Sequence, residues 1–280
     1  MAKLVAVLNI TPDSFFDGGK YIDVEKAVEK AKELEKIGVD LIDIGGESTR
    51  PSTVYGGKGD PLPIREELNR VIPVIKAVKD EISTPISIDT YKPEVAELAI
   101  EHGATIVNDV TGLRNIEMRR VVKQAKCQAI VMHMLGTPKT MQQNPFYPGG
   151  VVQDIVLYFK RRVEELLNYG IENKQIILDP GIGFGKTVED NLKIISSIAT
   201  FKKVGYEILI GASRKSFLGK ILKKTPDHLL PATLAIHTIT LMGGVDYIRV
   251  HDAKEHKDII DLISSLEKID GYNTQSYANN

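Results

Sequence analysis

The sequence predicts a single-domain (β/α)8 barrel of the α/β class, and three observations lead to that prediction. Short runs rich in Val, Ile and Leu alternate along the chain with segments of helical periodicity. Helix-to-strand junctions repeat one pattern, in which a glycine ends the helix and a wholly apolar strand begins. The 280 residues accommodate eight such units. A doubly wound open sheet is the alternative that this pattern leaves open.

The apolar runs define eight candidate strands. Each has the length and composition of a strand buried on both faces, and in chain order they are Lys3–Asn9, Asp40–Gly45, Pro85–Asp89, Thr105–Asn108, Gln128–His133, Gln175–Asp179, Glu207–Gly211 and Asp246–His251. The segment that follows the first strand illustrates the helices. Residues 24–37 have apolar side chains at three- and four-residue spacing, with Asp23 at the N-cap position and Gly38 past the end.

Composition excludes several classes of protein. With 42% apolar and 26% charged residues, the chain is globular and not disordered. The 36 basic and 37 acidic residues leave a net charge of −1, so no global field recruits nucleic acid or an anionic membrane. A single cysteine, Cys127, cannot form an internal disulfide or a cysteine-rich metal site.

Location and domain organisation follow from the same composition. Asn9 and Pro12 interrupt the apolar start before it resembles a signal peptide, and no apolar run is long enough to span a bilayer. We therefore expect a cytoplasmic protein, which agrees with the single cysteine. No linker divides residues 1–269, which are predicted to form one catalytic domain, and residues 270–280 are predicted to be a polar, disordered tail.

Three connections are longer than the rest and are candidates for lids at one rim of the barrel. They are the segments Thr11–Asp23, Arg50–Pro63 and Met134–Gly150.

Each predicted strand ends in side chains that can carry charge or form hydrogen bonds. A single polar strand end has a simple structural explanation, but eight together are typical of the barrel face that holds the active site. In chain order the groups are Asn9; Asp43 with Glu47; Asp89; Asn108 with Asp109; His133; Asp179; Ser213 with Arg214 and Lys215; and Arg249 with His251.

Two subsites are predicted at this face. Asp89, Asn108 and Asp179 could pair with the edge of a planar, nitrogen-rich ring, although three independent strand-end caps remain an alternative. Arg249 and His251 alternate on the last strand, and Arg214-Lys215-Ser216 follow the strand before it, where barrels often bind phosphate. The oxygen of Asn9, on the neighbouring first strand, could help to hold Mg²⁺.

Several suggestive motifs do not survive inspection. The segment from Asp179 to Thr187 ends like a phosphate-binding loop, but Pro180 stands where that motif needs a glycine. The histidines on helical stretches have structural explanations, and Cys127 is predicted to be a small buried apolar residue. These histidines are His102, His228, His237 and His256.

The ordered motifs resemble those of the dihydropteroate synthase family, whose barrels bind pterins. The resemblance extends from about Leu4 to Ala253 and rests on Asn9-Ile-Thr-Pro-Asp-Ser-Phe15, Asp17-Gly-Gly, Asp43-Ile-Gly-Gly-Glu-Ser-Thr-Arg-Pro51, Ser87-Ile-Asp-Thr90, Asn108-Asp-Val, Asp179-Pro-Gly-Ile-Gly-Phe-Gly-Lys186, Gly211-Ala-Ser-Arg-Lys-Ser-Phe217 and Arg249-Val-His251.

The resemblance implies a homodimeric (β/α)8 transferase of folate biosynthesis. Such enzymes condense 6-hydroxymethyl-7,8-dihydropterin diphosphate with p-aminobenzoate, and sulfonamides mimic the second substrate. The implied chemistry is a dissociative substitution assisted by Mg²⁺, because the leaving diphosphate gathers negative charge while the pterin methylene becomes cationic.

The resemblance also implies residue roles. Asp17, Arg50 and Lys215 would be catalytic. The pterin would contact Asp89, Asn108, Met132, Asp179, Lys215 and Arg249; the diphosphate would contact Asn9, Thr49, Arg249 and His251; the aminobenzoate would contact Thr49, Pro51, Phe184 and Ser216; and Asn9 would contact the metal. Phe16 and Ser52 depart from common family residues in the two loops, which bears on loop conformation and the response to sulfonamides.

Three other functions remain as alternatives. A pterin-binding methyltransferase domain would share the ring contacts but has no evident need for the Glu47–Pro51 segment or the cationic pair on the last strand. A class I aldolase would use Lys215 as a Schiff base. An inactive pterin-binding homologue would usually have lost loop residues, yet Asp17, Thr49 and Arg50 are present.

Overall fold

The structure is a computed structural model. It describes backbone and side chains of residues 1–11, 23–47 and 61–269, and the backbone alone of residues 16–17 and 21–22.

Eight parallel strands close into a barrel, because the last strand pairs with the first. This arrangement confirms the predicted fold class and excludes the open sheet. Around the barrel the strands are β1 (Lys3–Asn9), β4 (Leu41–Gly45), β5 (Ile86–Asp89), β6 (Ile106–Asp109), β7 (Gln128–Met132), β8 (Ile176–Asp179), β9 (Glu207–Ile210) and β10 (Tyr247–Val250). Two short antiparallel strands, β2 (Phe16–Asp17) and β3 (Tyr21–Ile22), form a separate pair.

Helices follow the barrel strands. They are α1 (Val24–Ile37), α2 (Ile64–Glu81), α3 (Pro93–Glu101), α4 (Ile116–Ala125), α5 (Val151–Tyr169), α6 (Val188–Ile195), α7 (Ile198–Lys202), α8 (Ser216–Leu222), α9 (Leu230–Met242) and α10 (Ala253–Leu266). Short 3₁₀ turns span Asn173–Gln175 and Pro226–His228. No helix within the described ranges has both the length and the apolar character needed to cross a membrane.

The boundaries agree closely with the sequence pattern. Every predicted barrel strand matches the observed one to within one residue at each end. Helix α1 begins where the Asp23 carboxylate accepts a hydrogen bond from the Lys26 N–H at 3.0 Å, and it ends at Gly38, whose φ of 85° is left-handed. The predicted tail, residues 270–280, lies outside the described residues and stays a prediction.

Apolar side chains fill the part of the barrel interior that is nearer the amino ends of the strands. A cluster separate from the main core contains one buried residue from each of seven strands, which places these side chains inside the barrel. They are Val5, Leu41, Ile106, Ile130, Ile177, Leu209 and Tyr247. We call this set the apolar layer. The larger core packs the outer strand faces against the helices.

Candidate active site

The candidate site is the next layer of inward side chains, towards the carboxyl ends of the strands. Side chains two residues apart on a strand point to the same side, so five residues of the apolar layer each predict an inward neighbour in the site. The pairs are Leu41 with Asp43, Ile106 with Asn108, Ile130 with Met132, Ile177 with Asp179, and Tyr247 with Arg249. Asp89 joins this set because it lies opposite Asn108 in the strand register. We call these residues the polar layer.

The Asp43 carboxylate is the centre of the polar layer. It is fully buried, and its Oδ2 accepts hydrogen bonds from Arg249 Nε at 2.6 Å and Asn108 Nδ2 at 3.1 Å. Its Oδ1 accepts a hydrogen bond from the Ser87 hydroxyl. Nη2 of Arg249 donates to Asp89 Oδ2 at 2.7 Å. The Arg249 guanidinium on β10 therefore binds carboxylates on β4 and β5, which lie on the other side of the β1–β10 pairing that closes the barrel.

Burial perturbs the charges of this layer. Although burial opposes ionisation of Arg249, Asp43 and Asp89 together hold its pKa above the ordinary value. Burial raises the pKa of Asp89 to about 7, in spite of the lowering effect of Arg249. Burial also raises the pKa of Asp179, against a hydrogen bond that its Oδ1 accepts from the Gly181 N–H at 2.7 Å. Perturbed titratable groups in one desolvated layer are typical of a functional site.

The connection after β8 depends on glycine. Gly181 has a φ of 72°, and a Cβ at this position would lie 2.1 Å from the backbone oxygen of His133. The tight path brings Phe184 into an apolar cluster with Met132. The cluster consists of Val110, Met132, Met134, Met141 and Phe184. Lys215 Nζ lies 4.3 Å from the centre of the Phe184 ring.

Asn9 and Asp89 approach each other across Gly45. The strand register places Asn9 opposite Gly45 and Gly45 opposite Asp89. A Cβ on Gly45 would lie 3.3 Å from Asp89 Cβ and 3.7 Å from Asn9 Oδ1. The missing side chain therefore leaves a neutral oxygen and a carboxylate side by side at the rim.

The predicted cationic group divides into two parts. Lys215 and Ser216 lie at the start of α8, and His251 follows β10, with its Nδ1 at 2.9 Å from Ser213 Oγ. Arg214 instead forms a bidentate ion pair with Asp252, through Nε at 2.9 Å and Nη2 at 2.6 Å. The Arg214 guanidinium thus links the connections after β9 and β10. This geometry does not support the expectation that Arg214 belongs to an anion-binding group.

The phosphate-loop-like segment after β8 also has a structural use. Lys186 is buried, and its Nζ lies 2.9 Å from the Phe184 oxygen and 3.1 Å from His133 Nδ1. Burial lowers the pKa of Lys186 to about 7 and holds the pKa of His133 far below its usual value. Lys186 therefore links the connections after β7 and β8 from inside the protein.

Four predicted site residues cannot be placed. Thr49, Arg50 and Pro51 lie outside the described residues, as does the side chain of Asp17, whose backbone belongs to β2. The described ends of the second long connection meet at Glu47, whose carboxylate accepts hydrogen bonds from Leu62 N–H at 3.1 Å and Lys92 Nζ at 2.5 Å. The described residues on either side of this connection are therefore linked directly by Glu47.

Sequence reasoning missed the role of Asp43. The sequence pattern places Asp43 among the eight polar strand ends and predicts no function for it. The available signal was alternation: Asp43 lies two residues after Leu41 on the same strand, as Asn108 does after Ile106. A charged residue inside an apolar parallel strand is costly to bury, which is itself a reason to expect an ionic partner.

The fold and this layer define a class: a (β/α)8 enzyme whose barrel mouth can bind a flat heterocycle beside a cationic rim. Comparison with known proteins agrees. The family model described as pterin binding enzyme matches residues 5–251. Dihydropteroate synthase from Synechocystis is 40% identical over 265 residues, covering 94% of this chain and 89% of the relative. The synthase from Clostridium beijerinckii is 40% identical over 255 residues, 90% of each chain.

Solved structures lead to the same family. The Yersinia pestis dihydropteroate synthase in a sulfonamide drug complex has a TM-score of 0.87 at 33% identity, covering 95% of this chain and 94% of that chain. The Xanthomonas albilineans synthase with 4-aminobenzoic acid has a TM-score of 0.87 at 33% identity, covering 96% and 94%. The chain belongs to the dihydropteroate synthases, the pterin-binding transferases of folate biosynthesis, and the predicted family is confirmed.

Proposed function

We propose that this protein joins 6-hydroxymethyl-7,8-dihydropterin diphosphate to p-aminobenzoate and releases diphosphate. The observation that carries the proposal is the polar layer, in which Asp89, Asn108 and Asp179 face one interior beside Arg249. Related chains of the family are solved with 4-aminobenzoic acid and with 7,8-dihydropteroate, one substrate and the product of this reaction.

The pterin is proposed to bind with its edge against the carboxylates. Ring N–H and amino groups are donors, and Asp89 and Asp179 offer acceptors while Asn108 offers both kinds of group. Met132 is buried next to Phe184 and presents an apolar surface to one face of the ring. Arg249, which donates to Asp43, is proposed to pack on the other face, and Lys215, at the start of α8, is proposed to contact the same ring.

The diphosphate is proposed to bind at the ends of β1 and β10. Arg249 and His251 supply positive or hydrogen-bonding groups there, and Asn9 lies on the neighbouring strand. Thr49 is proposed to reach this subsite from the connection that follows Glu47. Interactions that strengthen as the leaving group gains charge lower the barrier to breaking the C–O bond.

Mg²⁺ is the proposed cofactor, and the donors at the rim suit it. Among the residues that the structure describes, no group of three or more His, Cys, Asp or Glu side chains could hold a metal ion. Mg²⁺ usually keeps several waters and takes few protein ligands together with substrate phosphates, so the Asn9 oxygen beside Asp89 is a suitable contact. When bound, the ion would offset negative charge on the departing diphosphate.

The proposed substitution needs no strong base from the protein. As the C–O bond breaks, the electron-rich dihydropterin delocalises positive charge on its methylene carbon. The neutral amine of p-aminobenzoate forms the new C–N bond and then releases a proton to solvent or to diphosphate. Phe184 and Ser216, with Thr49 and Pro51, would orient this amine. Asp17 and Arg50 would close over the site and exclude water, which otherwise captures the cation.

A homodimer and a cytoplasmic location are part of the proposal. Ile221 and Leu222 of α8 and Ile239 of α9 are exposed apolar side chains that an interface between two copies would cover. The lone thiol, Cys127, is buried and suits a reducing compartment. Sedimentation analysis that finds only monomer across micromolar concentrations would contradict the dimer.

One experiment tests the reaction. The protein is incubated with the pterin diphosphate, p-aminobenzoate and Mg²⁺, and dihydropteroate is measured by mass spectrometry with matched reactions that omit each component. We expect product only in the complete mixture. Binding of the pterin diphosphate without product would favour an inactive homologue, and methyl transfer from a methylated pterin to a corrinoid would favour the methyltransferase alternative.

A further inference from the structure

Two histidines that the proposed reaction does not use are buried together behind the barrel mouth. His237 of α9 and His256 of α10 are both 0% exposed, and Nδ1 of His237 lies 2.8 Å from Nε2 of His256. The ring centres are 4.9 Å apart in an edge-to-face arrangement. A buried polar pair costs free energy unless its hydrogen bonds are satisfied, so its partners indicate its purpose.

The partners of the pair impose one direction on its hydrogen bonds. The backbone N–H of Ala212 donates to Nε2 of His237 at 3.3 Å, so this nitrogen carries no proton. A neutral His237 must therefore be protonated on Nδ1 and donate to Nε2 of His256. His256 is then protonated on Nδ1, which donates to the Asp252 carbonyl oxygen at 2.6 Å. Every ring nitrogen is satisfied by this single assignment of tautomers.

A positive charge on either ring would break this series of hydrogen bonds. A protonated His237 would place a second N–H against that of Ala212, and a protonated His256 would oppose the proton on His237. Burial lowers the pKa of both rings, which keeps them neutral.

The series of hydrogen bonds through the two rings begins at Ala212 and ends at Asp252. These residues belong to the two connections that are proposed to surround the diphosphate. Ala212 begins the connection that leads through Ser213 to Lys215, and Asp252 directly follows His251. The connections also meet directly, because the N–H of His251 donates to Ser213 Oγ at 3.2 Å.

Helix α9 holds the same connection at a second point one turn earlier. The N–H of Arg214 donates to Thr233 Oγ1 at 3.1 Å, and Thr233 is fully buried. Residues four apart lie on one helix face, so Thr233 and His237 contact the connection from the same face of α9 and fix its position along the helix.

We propose that His237 and His256 are positioning residues, which set the connection carrying Ser213 to Ser216 against the segment carrying His251 and so determine affinity for the diphosphate group. They touch neither substrate and act through Ala212 and Asp252. The inference rests on the proposed function only for the identity of the anion.

Substitutions at His256 separate positioning from simple packing. His256→Leu removes the acceptor and leaves the N–H of His237 without a partner, whereas the side-chain oxygen of His256→Gln can accept in its place. Loss of one such hydrogen bond corresponds to about a tenfold change. We expect His256→Leu to raise the KM for the pterin diphosphate about tenfold, to leave the KM for p-aminobenzoate within about twofold, and His256→Gln to restore most of the loss.

Ile263→Ala is the matched control, because Ile263 is a buried apolar residue on the same helix. It should lower the melting temperature without moving either KM. If His256→Leu and Ile263→Ala shift both constants equally, or if the Gln variant rescues nothing, the pair is only structural and the proposal fails.

Two further measurements do not depend on turnover. In ¹⁵N-histidine NMR spectra of the intact protein, His237 and His256 should be neutral with the proton on Nδ1, and a proton on Nε2 of either ring would overturn the assignment. Calorimetric titration with inorganic diphosphate and Mg²⁺ should give about tenfold weaker binding for His256→Leu than for Ile263→Ala. A wild-type protein that forms no dihydropteroate yet meets both expectations would refute the proposed reaction and leave this inference intact; equal diphosphate affinities would refute the inference alone.

Discussion

The apolar layer and the polar layer lie on the same strands, two residues apart, and they have opposite characters. Ile177 is surrounded by other apolar residues inside the barrel, whereas Asp179, the next inward residue on β8, has a pKa raised by burial. The same contrast separates Leu41 from Asp43 on β4. The barrel therefore has an apolar layer, which stabilises it through area removed from water, and a layer of buried polar groups, which is the layer proposed to recognise the pterin.

The largest effect on catalysis is expected from Arg249→Ala. Removal of a preorganised charge partner typically lowers rates about 10² to 10³-fold. Here it also leaves Asp43 and Asp89 facing each other without the cation that links them. A coupled assay of diphosphate release, with circular dichroism to confirm folding, measures this loss.

Arg249→Lys is the control that keeps the positive charge but removes the paired donors of the guanidinium. Lysine cannot donate to both carboxylates in the same geometry, so an intermediate rate is expected. Near-normal turnover of the Ala variant would remove Arg249 from the site.

A smaller loss is expected for Asp43→Asn, since one amide oxygen cannot replace a carboxylate that accepts from three donors. We expect kcat/KM to fall about ten- to a hundredfold, as is usual for hydrogen bonds to charged groups. The matched control is Asp109→Asn. Asp109 is also fully buried, but its carboxylate serves the turn through the N–H groups of Thr111 and Leu113.

The control should lose stability and keep its affinity for the pterin. If both variants lose activity equally at equal folded fractions, the distinction between inward and outward carboxylates is wrong.

The pH dependence of pterin affinity follows from Asp89. Its pKa of about 7 means that it takes up a proton as the pH falls through that value, and a protonated carboxyl accepts hydrogen bonds from Arg249 and from ring donors less well. Affinity for 6-hydroxymethylpterin, measured by calorimetry from pH 8.5 to 5.5, should therefore decrease on the acid side. Asp89→Asn should give weaker binding with a shallower acid limb, because the carboxyl whose pKa is about 7 is then absent. An unchanged profile in the variant would exclude Asp89 as its source.

The smallest effect on catalysis is expected in the apolar layer. Ile177→Val removes one buried methylene and should lower the free energy of unfolding by about 0.5–1.5 kcal/mol. Turnover per folded molecule should stay within about twofold, which chemical denaturation and the diphosphate assay together can test. A tenfold fall in turnover would mean that the two layers are not separate.

Much of this arrangement is predictable from the sequence because it is local. Runs such as Lys3–Asn9 and the caps of α1 depend on residues close together in the chain, and alternation along each strand then indicates which residues face inward. Contacts between distant segments are not readable in that way. Arg214 with Asp252, and His237 with His256, meet only because neighbouring β/α units pack side by side. Alternation places Asp43 inside the barrel, but its role is not readable from β4 alone because its hydrogen-bond partners come from other strands.

The central claim is that inward side chains two residues apart on one strand have different roles, one in stability and the next in pterin recognition. Strand β8 tests this claim most directly. Calorimetry with 6-hydroxymethylpterin should compare wild type, Asp179→Asn and Ile177→Val under identical conditions. The account predicts at least about tenfold weaker binding for Asp179→Asn, because the amide offers ring donors a neutral acceptor in place of a carboxylate, and an affinity within about twofold of wild type for Ile177→Val. Equal affinities for the two variants would contradict it.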